Sequence, residues 1–507
     1  MIFGFFCKEI NSFFKHICHN TVFVEKSLSR VSYTDKLFSC PIFERNFAMN
    51  SQPNTSLFST PQRLLLALLS VITVLSASPV IAQVALPSAK NTAQTEYRSI
   101  ERALLNPDKV YRLNLSGLML TELPPEIAKF KNLQSLDLSF NQLDSLPPEI
   151  CRLKNLENIS LLFNQLKKLP DSLSELKQLR TLNIANNKFE TFPLVITTLT
   201  SLQNLDIAGN GFTALPPEFF ALTELQDLSI ASNKLTMLPA EIGKFTNLLS
   251  LDMSSNQIAV LPPEMMNLTK LQILEAGSNQ LQSLPEDIIK LVKLNTLVLR
   301  NNKLTALPAT IGQLPKLRTL TLAKNRLKTL PDSLQWFLLL KDLDVSKNRL
   351  SELPASIGEM ASLENLDVSS NYLKTLPTKF PQLTTLKRLR LVANEFNLFP
   401  VEITRLAALE ELDFANNFVA QIPASVSDMA ALSVLNMRGN RLLSVPAEIG
   451  FCQNLTLINV AYNDLLTLPQ EITKLVKLQT LSIGQNPMQR SEIEKIRGFV
   501  PQARIGF

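Results

Sequence analysis

The sequence predicts an α/β solenoid of about seventeen repeats, because one short pattern recurs along most of the chain at a fixed spacing. An asparagine returns every 23 residues, sixteen times in succession, without an insertion or a deletion. Leucines keep the same phase around it, and a Leu-Pro pair opens the second half of nearly every copy. A period of this length is typical of proteins built from stacked coils. The asparagines are Asn141, Asn164, Asn187, Asn210, Asn233, Asn256, Asn279, Asn302, Asn325, Asn348, Asn371, Asn394, Asn417, Asn440, Asn463 and Asn486.

The first half of each repeat is predicted to be a short strand. Leu136 and Leu138 alternate with polar residues just before Asn141, so that one face of this segment enters the core. The proline that follows has no N–H and would interrupt a central strand. The second half is therefore predicted to be a turn, or a short helical or extended segment, on the opposite side of the coil. Leu118 holds the asparagine phase in a degenerate first copy, which begins near residue 110.

The asparagines are predicted to be structural. The chain turns inward after each strand and buries backbone N–H and C=O groups, which an amide side chain can satisfy because it both donates and accepts. A coil cannot bury its apolar face alone, so both ends of the stack need caps. We predict a helix over residues 95–106 before the first coil. After the last coil we predict a helix with Ser491 as its N-cap, followed by a strand-like segment at residues 503–507.

The N-terminal residues fall into two parts of different composition. Residues 1–48 precede Met49, hold both histidines and are interpreted as an upstream extension that is not native to the protein. Residues 49–82 contain an apolar run after Arg63 and small residues near the end, which predicts a secretory signal peptide. The alternatives are an uncleaved membrane anchor and a cytoplasmic chain. The remaining predicted domains are an N-terminal cap helix at 83–109, the solenoid at 110–486 and a C-terminal cap at 487–507.

No metal, cofactor or disulfide is predicted. Cys7, His16, Cys18 and His19 are metal-ligand types at plausible spacing, but no Cys-x-x-Cys pair accompanies them. Cys151 and Cys452 are separated by thirteen repeat periods. At the spacing of neighbouring strands this places them roughly 60 Å apart, which is too far for a disulfide.

The repeats resemble leucine-rich repeats of the Leu-Pro-x-x-Ile-x-x-Leu class, which occur in Ras-binding scaffold proteins and in exported bacterial proteins. Leu146-Pro147, Ile150 and Leu153 carry the pattern in one copy, and it extends from about 110 to 486. The resemblance implies a right-handed horseshoe with a parallel sheet on its concave side and a macromolecular ligand bound there. Leu118 and the small Ala276 depart from the pattern.

The predicted function is that of a non-enzymatic scaffold that binds a protein partner and is exported to the periplasm, the cell surface or the medium. No phosphate-binding loop or hydrolase motif occurs, and the only histidines lie in residues 1–48. The net charge is +6, and lysines and arginines are scattered among acids, so no nucleic-acid partner is predicted. No membrane span is predicted to remain after signal cleavage, and the oligomeric state stays open.

Two alternative functions remain at this stage. One is a cytosolic signalling scaffold similar to the Ras-binding members of the family. The other is a structural or carbohydrate-contacting surface protein. Stacked aromatic side chains are the expected feature of the second, and only Phe140, Phe163 and Tyr462 offer it.

Partner-binding residues are predicted on the sheet, two, four and six places before each asparagine. The column four places before each asparagine is rich in acidic residues. Either aspartate is simply common at this position of the repeat, or the acids form a continuous surface that binds a cationic partner. Ile273 and Val298 place apolar side chains in otherwise polar columns. Two arginines lie beside acids of neighbouring coils and favour this region as the site, unless they only pair with those acids in a solvated ladder. The predicted partner-binding residues are Asp344, Asp367, Arg388, Arg390, Glu411 and Asp413.

Overall fold

The computed structural model describes residues 96–506, which form one continuous stack of coils with a single sheet of nineteen strands. Each strand pairs in parallel with the next strand along the chain. The strands are β1 Glu96–Tyr97, β2 Arg112–Asn114, β3 Ser135–Asp137, β4 Asn158–Ser160, β5 Thr181–Asn183, β6 Asn204–Asp206, β7 Asp227–Ser229, β8 Ser250–Asp252, β9 Ile273–Glu275, β10 Thr296–Val298, β11 Thr319–Thr321, β12 Asp342–Asp344, β13 Asn365–Asp367, β14 Arg388–Arg390, β15 Glu411–Asp413, β16 Val434–Asn436, β17 Leu457–Asn459, β18 Thr480–Ser482 and β19 Arg504–Gly506.

Several predictions concern residues outside this range. They are the upstream extension at 1–48, the signal peptide at 49–82, residues 83–95 of the N-terminal cap, and the candidate metal ligands Cys7, His16, Cys18 and His19.

The 23-residue period fixes the register of the sheet. Leu136 of β3 lies opposite Ile159 of β4, which lies opposite Leu182 of β5, and all three side chains are fully buried. Residues of equal phase therefore stack in columns that run along the whole sheet. Apolar columns form the core, and the residues on either side of them face solvent, because side chains alternate along a strand.

The return segment of each coil is a short 3-10 turn, which settles the alternatives left open by the sequence. In most coils a proline caps it; Pro124, for example, has φ −66° and ψ 144° and directly precedes the turn. The 3-10 turns are Pro107–Lys109, Pro125–Lys129, Pro148–Arg152, Asp171–Glu175, Leu194–Thr198, Pro217–Ala221, Ala240–Lys244, Pro263–Asn267, Glu286–Lys290, Ile311–Gln313, Asp332–Trp336, Ala355–Glu359, Phe380–Gln382, Val401–Arg405, Ala424–Asp428, Ala447–Phe451 and Gln470–Lys474. From Pro125–Lys129 onward each turn sends at least one apolar side chain back into the core, as Ile150 does.

Each repeat asparagine joins two successive coils through its amide. The Asn302 Nδ2 donates to the carbonyl oxygens of Ala276 and Leu299, each at 2.9 Å. Its Oδ1 accepts from the backbone N–H of Leu281 at 3.0 Å. Ala276 and Leu281 belong to the preceding coil, and Leu299 belongs to the same coil as the asparagine. The amide thus satisfies buried backbone groups that the sheet leaves unpaired.

The residue before each asparagine lies in the left-handed region of backbone space, which the sequence did not reveal. Gly209 and Gly439 are the two glycines that precede an asparagine, and Gly117 takes the same place before Leu118. The other fourteen coils place a side chain at φ between 52° and 58°. Phe140 and Phe163 are among them. Such a conformation costs about 1 kcal/mol or more for a residue with a Cβ. The coil tolerates this cost because the side chain of the following asparagine forms hydrogen bonds to its own coil and to the preceding one, and these bonds stabilise the turn.

The two ends of the stack differ in detail from the prediction. The helix predicted over residues 95–106 is shorter: residues 96–97 form β1, and helix α1 spans Ile100–Leu104 with Ser99 as its N-cap. The pairing of β1 with β2 is the physical reason, because it covers a sheet edge that a helix would leave open.

At the other end, helix α2 spans Arg490–Phe499, so Ser491 lies inside it and the predicted N-cap is wrong. Gln489 precedes the helix and makes no capping hydrogen bond. A carboxylate in the first turn, Glu492, supplies negative charge at the helix N-terminus instead. The helix buries Ile496 against the last coil. β19 then pairs with β18, within the segment predicted to be strand-like.

We predict that Asn302→Leu lowers the free energy of unfolding by about 1–3 kcal/mol, because the Leu281 N–H and the Ala276 carbonyl lose their partner. Chemical denaturation of both proteins measures the difference. Asn267→Leu is the matched control, because Asn267 is exposed on a return segment, and a change within about 0.5 kcal/mol is expected there. Equal stability of the Asn302 variant and the wild type would contradict the structural role.

Candidate functional site

The two arginines of β14 are unusually exposed. Arg388 and Arg390 lie on either side of the buried Leu389, with side chains 46% and 58% exposed. Among strands β2 to β18 no other has both of its outward residues in the exposed class. The structure therefore presents two guanidinium groups side by side on the sheet face, by which we mean the solvent-facing side of the strands.

Neighbouring strands supply weak partners for these arginines. The Arg388 Nε lies 3.5 Å from the Glu411 Oε1, and its Nη1 donates to the Asn365 Oδ1 at 3.1 Å. The Arg390 Nη1 lies 4.0 Å from the Asp367 Oδ2. Exposed ion pairs of this kind contribute about 0–1 kcal/mol each, because water competes for both partners. A ligand with carboxylates could therefore replace these contacts at little cost.

The acidic column on the sheet face has a structural task. The Oδ1 atoms of Asp344 and Asp367 accept the backbone N–H groups of Ser346 and Ser369, each at 2.9 Å. Asparagines of the same phase make the same bond, as Asn183 does with the Ala185 N–H. The other aspartates in this role are Asp137, Asp206, Asp252 and Asp413. A short side chain with an acceptor oxygen ends the strand here, whether or not it is charged.

Burial shifts the protonation of these carboxyl groups. It raises the pKa of Asp344 and of Asp413, and the nearby Arg390 guanidinium partly opposes the rise. The Asp413 Oδ1 also accepts a hydrogen bond from the Asn436 Nδ2 at 2.8 Å. The carboxylates beside the arginines are thus held by the protein itself, while the guanidinium groups extend further into solvent.

A shallow depression of about 310 Å³ extends from β14 to β17. Of the six predicted residues it is lined by Arg388, Arg390, Glu411 and Asp413, and Asp344 and Asp367 do not line it. Four further outward residues that the prediction omitted complete it: Val434, Asn436, Leu457 and Asn459. The signal was present in the sequence, because Val434 and Leu457 put apolar side chains in a polar column, as Ile273 and Val298 do.

The cysteines and acids within residues 96–506 form no candidate metal centre. No group of three or more potential ligands occurs within residues 96–506. Cys151 and Cys452 are free, and burial raises the pKa of the Cys452 thiol to about 11. Cys452 thus behaves as a small core residue.

Comparison with known proteins identifies the class. A family model described as a leucine rich repeat matches residues 131–189, 200–258 and 266–327, and a second, described as a leucine-rich repeat region, matches 332–438. A leucine-rich-repeat protein of Leptospira interrogans is 35% identical, over 82% of this chain and 100% of that one, with a TM-score of 0.72. The chain therefore belongs to the leucine-rich-repeat family.

Two other solved structures share the fold at lower identity. The plant peptide hormone receptor RGFR1, in complex with RGF2, is 26% identical, over 78% of this chain and 77% of that one, with a TM-score of 0.52. An internalin from Listeria monocytogenes is 23% identical, over 61% and 88%, with a TM-score of 0.55, which shows the fold alone. None of the curated proteins matches the chain.

We predict a pH dependence of stability that comes from Asp206. Burial raises its pKa to about 6, against about 3.9 for an unfolded aspartate. Between these two pH values the Asp206 carboxyl is protonated in the folded protein but ionised in the unfolded chain. Asp206 therefore makes the free energy of unfolding fall as pH rises from about 4 to about 6, by on the order of 1–2 kcal/mol. Asp206→Asn should remove that part of the pH dependence, as measured by denaturation midpoints across this range. An unchanged slope in the variant would contradict the assignment.

Proposed function

We propose that this chain is a non-enzymatic scaffold that binds a protein partner through the sheet face of β14 to β17. The depression there carries the proposal, because two exposed guanidinium groups and the apolar side chains of Val434 and Leu457 line it together. Arginine beside apolar surface is the composition of interface hot spots. The complementary partner presents a carboxylate for the arginines and an apolar side chain next to it.

The predicted residues Asp344 and Asp367 have a supporting role in this proposal. Both lie on strands that precede β14, and Asp367 pairs with Arg390 across the sheet. Asp367 helps to orient Arg390, and Asp344 lies one strand further from β14. The structure of the plant receptor RGFR1 in complex with RGF2 supports a binding role for the fold, since that relative holds a second molecule.

The carbohydrate-contacting alternative finds less support in the aromatic residues. Phe140 and Phe163 stack on each other, with ring centroids 5.0 Å apart. The guanidinium of Arg438 lies 3.9 Å from the centroid of the Tyr462 ring. A sugar ring needs a free aromatic face, and these rings already have a neighbour on one side. We therefore retain the protein-binding function.

We further propose that the chain is exported, with residues 49–82 as its signal peptide and residues 1–48 as an upstream extension. An apolar run after Arg63 that ends before small residues supports this proposal. Within residues 96–506 no helix is long and apolar enough to cross a bilayer. A cytosolic signalling scaffold is the competing hypothesis.

Charge reversal tests the binding site. We predict that Arg388→Glu combined with Arg390→Glu weakens partner binding by about tenfold or more, because it replaces two attractive charges by repulsive ones. Pull-down from extract and medium of the native host, followed by titration calorimetry with the captured partner, measures the effect. Arg152→Glu combined with Arg405→Glu is the matched control, since both arginines are exposed on return segments. If both variants lose partner binding equally, or if neither loses it, the binding site does not lie at Arg388 and Arg390.

Mapping the N-terminus tests export. Mass spectrometry of the protein from its native host should find Gln83 as the first residue, because cleavage is predicted after the small residue Ala82. The secreted or surface fraction should contain this form. Recovery of a chain that begins at Met49, or upstream of it, from the cytoplasm would favour the signalling scaffold instead.

A further inference from the structure

A second surface, remote from β14 to β17 in the repeat order, is strongly basic. It is a groove of about 630 Å³ beside strands β8 to β12, on the edge of the sheet where the chain enters each strand, called here the leading edge. Lys270, Lys293 and Lys316 line it at the same phase of three successive coils, and Arg318 lies beside them. No carboxyl group contributes to its lining. Like charges are therefore gathered in one column with nothing between them to neutralise them.

The sequence around this groove is depleted of acids. Residues 288–331 contain nine lysines and arginines and no aspartate or glutamate, whereas the rest of the chain is net negative. Lys303, Lys324, Arg326 and Lys328 of this block follow the strands and lie at the opposite edge of the same coils. Two basic edges thus flank the neutral outward residues of β10 and β11.

The cations that line the groove keep their charge available. The Lys270 Nζ donates to the Asn247 Oδ1 at 2.8 Å, which is a neutral partner. Lys293, Lys316 and Arg318 make no ion pair with any residue in the part of the chain that the structure describes. The next coil differs: Lys341 binds the carboxylate of Glu364, whose pKa falls to about 2. The acid-free segment ends before strand β12, at Pro331.

Apolar side chains lie at both ends of the groove. Leu339 takes the lysine phase in the following coil, with 40% of its surface exposed, and Leu338 beside it is 76% exposed. Leu249 lines the opposite end. A nucleic acid would favour aromatic side chains for base stacking, and no lining residue is aromatic. Cations between the half-buried Leu249 and the exposed Leu339 instead match a chain that alternates carboxylates with apolar residues.

We propose that the leading-edge groove binds an acidic, leucine-containing peptide segment of a protein. The lysines and Arg318 pair with its carboxylates, and Leu249 and Leu339 contact its apolar side chains. This proposal does not rest on the site at β14 to β17, because the two sets of lining residues share no member. Binding is salt-sensitive, since exposed charges are screened over about 10 Å at moderate ionic strength.

The test uses the full-length chain and a labelled synthetic peptide in which glutamates and leucines alternate with serines. Fluorescence anisotropy should show binding that weakens as salt is raised. The combined change Lys293→Glu, Lys316→Glu and Arg318→Glu should weaken binding by about tenfold or more. Lys477→Glu is the matched control, because Lys477 has the same repeat phase and the same bond to an asparagine as Lys270 but lies outside the groove.

Two further probes decide the class of occupant. A peptide with glutamines in place of the glutamates should not bind, and heparin and a single-stranded oligonucleotide should bind more weakly than the acidic peptide. Tighter binding of either polymer than of the peptide overturns the peptide assignment. Equal binding of the peptide by the wild type and the triple variant would overturn the proposal that the groove is the peptide-binding site. Arg388→Glu combined with Arg390→Glu should weaken peptide binding less than the triple variant does, which separates the groove from the site at β14 to β17.

Discussion

The hydrogen bonds of the repeat asparagines are the constraint on which the structure depends. Each amide holds a carbonyl and an N–H of one coil and a carbonyl of the next, so it requires the same chain path in both. An insertion near Asn302 would separate these groups and leave them buried without partners. The constraint explains why the spacing of 23 residues is kept through sixteen copies. It also explains why the left-handed residue before each asparagine need not be glycine.

Because the period is fixed, residues at the same position of successive repeats form columns on the protein surface. The repeat positions that build each coil are occupied mainly by leucine, asparagine and proline. The residue types that differ from coil to coil therefore lie at the outward positions of the strands and at the edges of the sheet. Side chains 23 residues apart become neighbours about 4.8 Å apart. Lys270, Lys293 and Lys316 are far apart in the sequence but form a row on the surface. Likewise, Arg388 and Arg390 of β14 lie between acidic residues of β13 and β15.

The sequence predicted the solenoid, its strands and its number of coils, because period and apolar phase determine them. It did not predict the left-handed position, since glycine marks it in only three coils. Ser491 was taken as a helix N-cap because its side chain suits that position, although the helix begins at Arg490. At the candidate site, Arg388 and Arg390 were found from their charge. Val434 and Leu457 were missed, since neighbours in space lie a full repeat apart in the chain.

The two ends of the sheet carry a consequence for assembly. A stack of parallel strands has no inherent stopping point, and each terminal strand offers backbone groups to a further coil. The two-residue β1 and the strand β19, which follows helix α2, close these edges with segments that depart from the repeat. Proteolytic loss of residues after Phe499 would uncover β18 while leaving the opposite edge intact. Two such clipped molecules could then pair β18 with β18 about a two-fold axis. This contact uses the one open edge of each copy, so the intact β1 would keep the assembly at a dimer and prevent fibre growth.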